Sequence, residues 1–154
     1  MARLMALDVG EARIGVAVSD SSGILASPYT TLHVTRDEAQ TWQKVAQLIR
    51  ETDAEGLVIG LPISLDGQLH AQGERVQAFA ARLMQHIRIP VTFWDERLST
   101  VEAERLLAER DSGVQGKPFR RGSRRRGPIK SRHKQQAIDA MAAAVILQDY
   151  LDHR

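Results

Sequence analysis

The sequence predicts an α/β domain built on a five-stranded mixed sheet, antiparallel at one side and parallel at the other, with helices on both faces. Three observations lead there. Extended segments follow one another through Val34, separated only by turn residues, so the first strands are joined as hairpins. Beyond Val34, helical and strand patterns alternate, which is the signature of parallel strands with crossover helices. Between them lies EGLVIG, residues 55–60, a short wholly apolar strand of the kind covered on both faces.

The elements follow in order. Leu4 to Leu7 is an apolar run ending in Asp8, and Ile14 to Val18 returns after one tight connection through Gly10, which makes a hairpin. Asp20-Ser21-Ser22-Gly23 is turn chemistry, and Ile24 to Val34 reads as a third strand. Pro28 within it lacks the amide a central strand needs, so this strand belongs at an edge. Asp37 precedes Trp42, Val45, Ala46 and Ile49 at helical spacing, the first helix. Leu61 to Gln72 is a loop at a strand's C-terminal end, and Val76, Phe79, Ala80, Leu83 and Ile87 mark a second helix that Pro90 ends. Pro90 to Trp94 is the next strand. Ser99 with Glu102 is a capping-box pattern opening a helix through Leu106 and Leu107. The last helix runs from about His133 to Tyr150, with an alanine-rich middle that lets its backbone approach the sheet closely.

With 154 residues and 43% hydrophobic composition, one domain spanning 1–154 is expected, with a core large enough to need no staples. The absence of cysteine excludes disulfides and thiolate metal sites. There is no charged-then-apolar leader, and no apolar run approaches the ~20 residues that span a bilayer, so a cytoplasmic protein with no membrane partner is expected. No internal repeat is visible.

Net charge is only +2, but it is unevenly spread. Lys117, Arg120, Arg121, Arg124, Arg125, Arg126, Lys130, Arg132 and Lys134 follow one another with no acid between them, while the remainder of the chain is net acidic. Gly116, Pro118, Gly122, Gly127 and Pro128 interrupt that stretch, so residues 112–132 read as a mobile basic loop. Such a loop on an acidic body points to a polyanion, nucleic acid first. The plainer reading is a solvated loop whose charge aids solubility.

Three acids fall where separate elements can meet: Asp8 on the first strand, Glu96 just past the last strand and Asp139 on the final helix. A carboxylate in an apolar run is costly to bury unless something positive meets it. Clustered carboxylates with no cysteine suit Mg²⁺ or Mn²⁺, and two such ions about 4 Å apart can activate a water and stabilise the leaving oxygen of a phosphodiester. Each acid also has a modest explanation. Asp8 could accept hydrogen bonds from its own turn, and Asp139 could answer the macrodipole near a helix N-terminus for ~0.3–1 kcal/mol. Asp95 competes with Glu96, because adjacent strand residues point to opposite faces.

ALDVGEARIGVAVSD, GLPISLDG, WDERLST and AIDAMAAAVILQDYL, in that order, resemble the four signature blocks of the YqgF/RuvX family. Its members are described as pre-16S rRNA nucleases or Holliday junction resolvase-like proteins. The resemblance covers nearly the whole chain and implies a ribonuclease H-like fold and a divalent-metal-dependent nuclease, with rRNA processing in ribosome biogenesis as its role. It puts the family's acidic positions on Asp8, Glu96 and Asp139, and other motif positions on Arg13, Arg97 and Ser99. Arg13 and Arg97 join the basic loop as expected nucleic-acid contacts. RNA is the expected partner, with branched DNA as the alternative and a pre-ribosomal particle as the larger setting. Better-characterised ribonuclease H-like nucleases are similar but place an acid at the end of the fourth strand, where this chain has Gly60-Leu61-Pro62. Glu96 would substitute from the neighbouring strand. Two other classes fit parts of the pattern. An Asp-x-Gly turn after a first strand also resembles actin-like ATPases and sugar kinases, but those need two such domains. A non-enzymatic RNA-binding assembly factor would use the basic loop equally well.

Overall fold

The computed structural model describes residues 2–62, 70–95 and 128–154, with side chains described from 134 onward in the last stretch. Strands β1 (Leu4–Val9), β2 (Arg13–Ser19) and β3 (Ala26–His33) precede helix α1 (Glu38–Thr52). Then come β4 (Gly56–Leu61), α2 (Ala71–Met84), β5 (Val91–Asp95) and α3 (Pro128–His153). The sheet order is β3-β2-β1-β4-β5. β1, β2 and β3 pair antiparallel, and β4 and β5 run parallel to β1. This is the mixed sheet the sequence implies, in a ribonuclease H-like arrangement.

Strand alternation sorts the core into two layers. Met5, Leu7, Ile14, Val16, Leu57 and Ile59 face α1 and α2, where Trp42, Val45, Val76, Phe79 and Leu83 meet them. Trp42 anchors this layer, with its ring 5.1 Å from Phe79 and stacked on His86 at 5.5 Å. Leu4, Ala6, Ala17 and Val58 point the other way, onto Ala143, Ala144, Ile146, Leu147 and Leu151 of α3. Fully burying one such leucine or isoleucine is worth about 1.5–3 kcal/mol, so both layers are needed to hold the sheet. The EGLVIG strand is buried on both sides, as its composition requires.

β3 is an edge strand. Pro28 pairs with Ala17 where a bulge shifts the register between Val16 and Ala17, so the missing amide costs the sheet little. Asp37 caps α1, its Oδ1 accepting from the Ala39 amide at 3.0 Å.

Several boundaries differ from expectation. β3 begins at Ala26 because the amides of Ile24 and Leu25 donate to Asp20 Oδ1, at 2.8 and 3.2 Å, and close the turn instead. α2 ends at Met84 rather than running to Ile87. β5 extends through Asp95. The last helix begins at Pro128, not near His133, so Lys130 and Arg132 lie on a helix rather than in the basic loop. Proline tolerates the first helical position, since its missing donor has no partner there anyway and its φ is already helical. The loop after β4 and the helix expected from Ser99 fall on residues outside those described.

Candidate active site

Asp8 is the fifth residue of β1 and pairs across to Gly15 on β2, which in turn pairs with Thr31 on β3. By strand alternation Asp8 and Gly15 share the α3 face with Ala6 and Ala17, and α3 crosses this row directly. The Thr31 hydroxyl donates to the Gln136 carbonyl at 2.8 Å. At Gly15 there is room for no side chain, because a Cβ would overlap the carbonyl oxygen of Asp139. The small residues of α3 and the bare glycine of β2 therefore let the helix sink until Asp139 lies over the strand next to Asp8.

Asp139 is the twelfth residue of α3, given that the helix starts at Pro128. The macrodipole fades beyond the first turn, so it does not explain an acid at this position. A specific cation does. Arg13 Nε donates to Asp139 Oδ2 at 2.6 Å, and Gln135 Nε2 donates to Oδ1 at 3.3 Å. Arg13 shares the parity of Gly15 on β2, so carboxylate and guanidinium meet on the same face. A polar row extends from here toward the sheet edge, where Gln136 Nε2 lies 2.8 Å from His33 Nε2.

The third expected acid, Glu96, lies outside the described residues, as do Arg97, Ser99, Lys117, Arg120, Arg121 and Arg124 to Arg126. Its neighbours are informative. Trp94 joins the α3 layer, where its indole N–H donates to Asp149 Oδ2 at 2.7 Å and its ring meets Tyr150 edge-on. Val91 and Phe93 pack into the opposite layer, and Asp95 shares their parity. Asp95 is thus on the α1/α2 side of the sheet, away from Asp8 and Asp139. Lys134 is exposed on α3. Among the described residues, no group of three acids or histidines is gathered as a metal site.

The donor chemistry fits a hard cation. Asp8 and Asp139 offer oxygen donors only, the donor type hard cations take, and Asp139 is already met by the Arg13 guanidinium. A cavity of about 290 Å³ on the other face of the sheet does not compete for this role. Its floor is Val9, Val76 and Phe79, and its arginines are committed to Glu11–Arg75 and Glu38–Arg82 ion pairs of 2.7 and 2.8 Å.

Sequence reasoning placed Asp8, Arg13 and Asp139 but passed over Gly15 and Gln135. Gly15 carries a readable signal: a glycine inside an otherwise apolar strand marks a close backbone approach. Gln135 carries one too: it lies four residues before Asp139 on the same helix, the spacing at which Gln and Asp side chains meet.

The family model RuvX, described as Holliday junction resolvase, matches residues 2–153. A Thermoanaerobacter pseudethanolicus protein named "Putative pre-16S rRNA nuclease" is 37% identical over 150 residues, covering 97% of this chain and 96% of its own. A Roseiflexus protein of the same name is 41% identical over 150 residues, covering 97% and 94%. Among solved structures, Thermus thermophilus RuvC in complex with a Holliday junction substrate superposes with a TM-score of 0.54. It shares 12% identity and covers 99% of this chain and 98% of its own, a likeness of fold. With a family model matched along nearly its whole length and relatives above one-third identity, this chain belongs to the RuvX family.

Proposed function

We propose that the protein is a divalent-metal-dependent nuclease that hydrolyses phosphodiester bonds, acting on the 5′ end of pre-16S rRNA during ribosome biogenesis. The observation that supports this reading is the seating of the Asp139 backbone on Gly15, the cross-strand partner of Asp8, on one face of the sheet. Relatives named for pre-16S rRNA cleavage support the substrate, and the ribonuclease H-like fold supports the reaction class.

In this reading Asp8 and Asp139 hold Mg²⁺ or Mn²⁺, with Glu96 as the third carboxylate. The parity of β5 disfavours Asp95, which shares the α1/α2 side with Val91 and Phe93. Bound ions supply activation of the attacking water and neutralisation of the charge that develops on the phosphate. The chain's own residues do the rest. Asp8, near the end of β1, the middle strand of the sheet, would hold the ions together with Asp139 and Glu96. Arg13 and Arg97 with the basic residues from Lys117 to Lys134 hold the phosphate backbone, contacts that position a polyanion without reading its sequence. Selectivity then comes from RNA shape or from the assembling ribosome.

The test is a cleavage assay on precursor RNA carrying the 5′ extension and on four-way DNA junctions, with Mg²⁺, Mn²⁺ or chelator. Metal-dependent cutting of the RNA, lost in Asp8→Asn, is expected. Depleting the protein should leave an uncut 5′ extension in its host. Normal rRNA ends together with efficient junction cutting would establish the resolvase reading that the family description carries. RNA binding with no metal-dependent cleavage of either substrate would make the protein an assembly factor.

A further inference from the structure

Asp139 has both carboxylate oxygens engaged by the protein itself. Oδ2 accepts a charge-assisted hydrogen bond from Arg13 Nε at 2.6 Å, and Oδ1 accepts from Gln135 Nε2 at 3.3 Å. The ion pair is sheltered on its acidic side, with the Asp139 side chain 19% exposed against 35% for Arg13. The helix backbone is seated on Gly15 and held to the sheet by Ala143, Ile146 and Leu147, so the short aspartate side chain stays close to the strand. The long arginine side chain can leave.

We infer that Arg13 is a positioning residue that occupies the Asp139 carboxylate in the metal-free protein and is exchanged for the divalent ion, which frees its guanidinium for a substrate phosphate. This inference rests on the metal-site reading above. A Mg²⁺ ion sits about 2.0–2.1 Å from its oxygen ligands, which would bring it close to a guanidinium hydrogen-bonded to the same oxygen. Two cations at that range repel, so ion and arginine compete. Once displaced, Arg13 remains on the face shared by Asp8 and Asp139. Its planar fork suits phosphate oxygens as well as it suits carboxylate. Metal binding and nucleic-acid binding are then coupled, and by linkage each strengthens the other to the same degree. Before metal arrives, the same guanidinium limits repulsion among the acids.

The experiment is a Mn²⁺ titration of the full-length protein, paired with binding of a phosphorothioate-linked RNA with and without Mn²⁺. Parent, Arg13→Gln, Arg13→Lys and Asp8→Asn are compared. Removing the competitor should make Arg13→Gln bind Mn²⁺ about twofold to fivefold more tightly, the range a partly exposed ion pair can supply. It should also lose the gain in RNA affinity that Mn²⁺ gives the parent. Arg13→Lys, which keeps the charge but not the rigid fork, should fall between them, and it decides the matter alone if the glutamine variant does not fold. A residue that only braced the structure would lower both affinities together. Mn²⁺ binding that depends on Asp8 but does not tighten on replacing Arg13 would overturn the exchange and leave the metal site standing. Mn²⁺ binding unaffected by Asp8→Asn would overturn the metal-site reading itself.

Discussion

Gly15 and Asp139 touch backbone to backbone: the helix carbonyl of Asp139 occupies the space where any other residue at Gly15 would place its Cβ. This contact sets how far α3 sinks onto the sheet, and so how near its acid comes to Asp8, the cross-strand partner of Gly15. Overpacking a core typically costs about 1–3 kcal/mol, and more where the obstacle is backbone rather than a flexible side chain. Gly15→Ala should therefore destabilise the protein by about 3 kcal/mol or more. Urea denaturation measures it, and a loss under about 1 kcal/mol would show that α3 shifts freely.

The two sheet layers were legible because apolar alternation and the uniformly apolar β4 encode them directly. Pro28 placed β3 at the edge for a reason that needs no neighbour, its missing amide. Asp8 and Asp139 emerge from residue type and from resemblance together, Arg13 from resemblance alone. The start of α3 is hidden in the sequence because Pro128 and the glycines before it look like a breaker, whereas proline at a first helical position is harmless. With the helix starting at Pro128, Asp139 is too far from its N-terminus for the macrodipole to explain it. The Arg13 pairing was invisible for a different reason: residues 126 positions apart are matched only by the way the helix crosses the strands.

Asp8→Asn should separate fold from site. It keeps the side-chain shape and removes one negative charge, so the fold should survive the replacement. Saturating Mg²⁺ should stabilise the parent, by ~2.7 kcal/mol at one hundred times its dissociation constant, and leave the variant nearly unaffected. Thermal melts of both proteins across a Mg²⁺ series measure this. Equal shifts would place the ion elsewhere.

Trp94 fastens the end of β5 to α3 through its indole N–H on Asp149 Oδ2 at 2.7 Å and its edge-on contact with Tyr150. Asp149 is about half exposed, so water can replace part of the lost bond. Asp149→Ala should then cost about 1 kcal/mol, near the middle of the range for a single hydrogen bond. The indole emission should shift at the same time, since its one described hydrogen-bond partner is gone. A cost without a spectral change would assign the loss to the helix terminus instead.

Acid should loosen the β2–β3 turn first at Asp20. The amides of Ile24 and Leu25 and the hydroxyl of Ser22 donate to its carboxylate, with the Ile24 amide the largest influence, and hold its pKa below the usual 3.8. A lowered folded-state value means the unfolded chain binds the proton more readily over that range. The contribution is thus present above about pH 4 and is lost as pH falls through the folded-state pKa. Asp20→Asn should show a shallower fall in stability between neutral pH and pH 3 than the parent. Parallel curves for the two proteins would mean the turn does not sense protonation at this position.

The basic stretch from Lys117 to Lys134 should govern how binding responds to salt. Every phosphate neutralised by a lysine or arginine releases condensed counterions, so log affinity falls with log salt by roughly 0.7 per contact on single strands and 0.9 on duplex DNA. Replacing Arg124, Arg125 and Arg126 with alanine removes up to three contacts, and the slope should become shallower by about 2 to 2.7. Because phosphate contacts carry no sequence information, the affinity loss should be the same for unrelated RNAs of equal length. Arg13→Gln offers the contrast, since its effect should appear only when Mn²⁺ is present, whereas the triple replacement should act with or without metal. Filter binding from low to moderate salt with two unrelated RNAs gives both slopes. A slope unchanged by the triple replacement would leave those arginines a role in solubility alone.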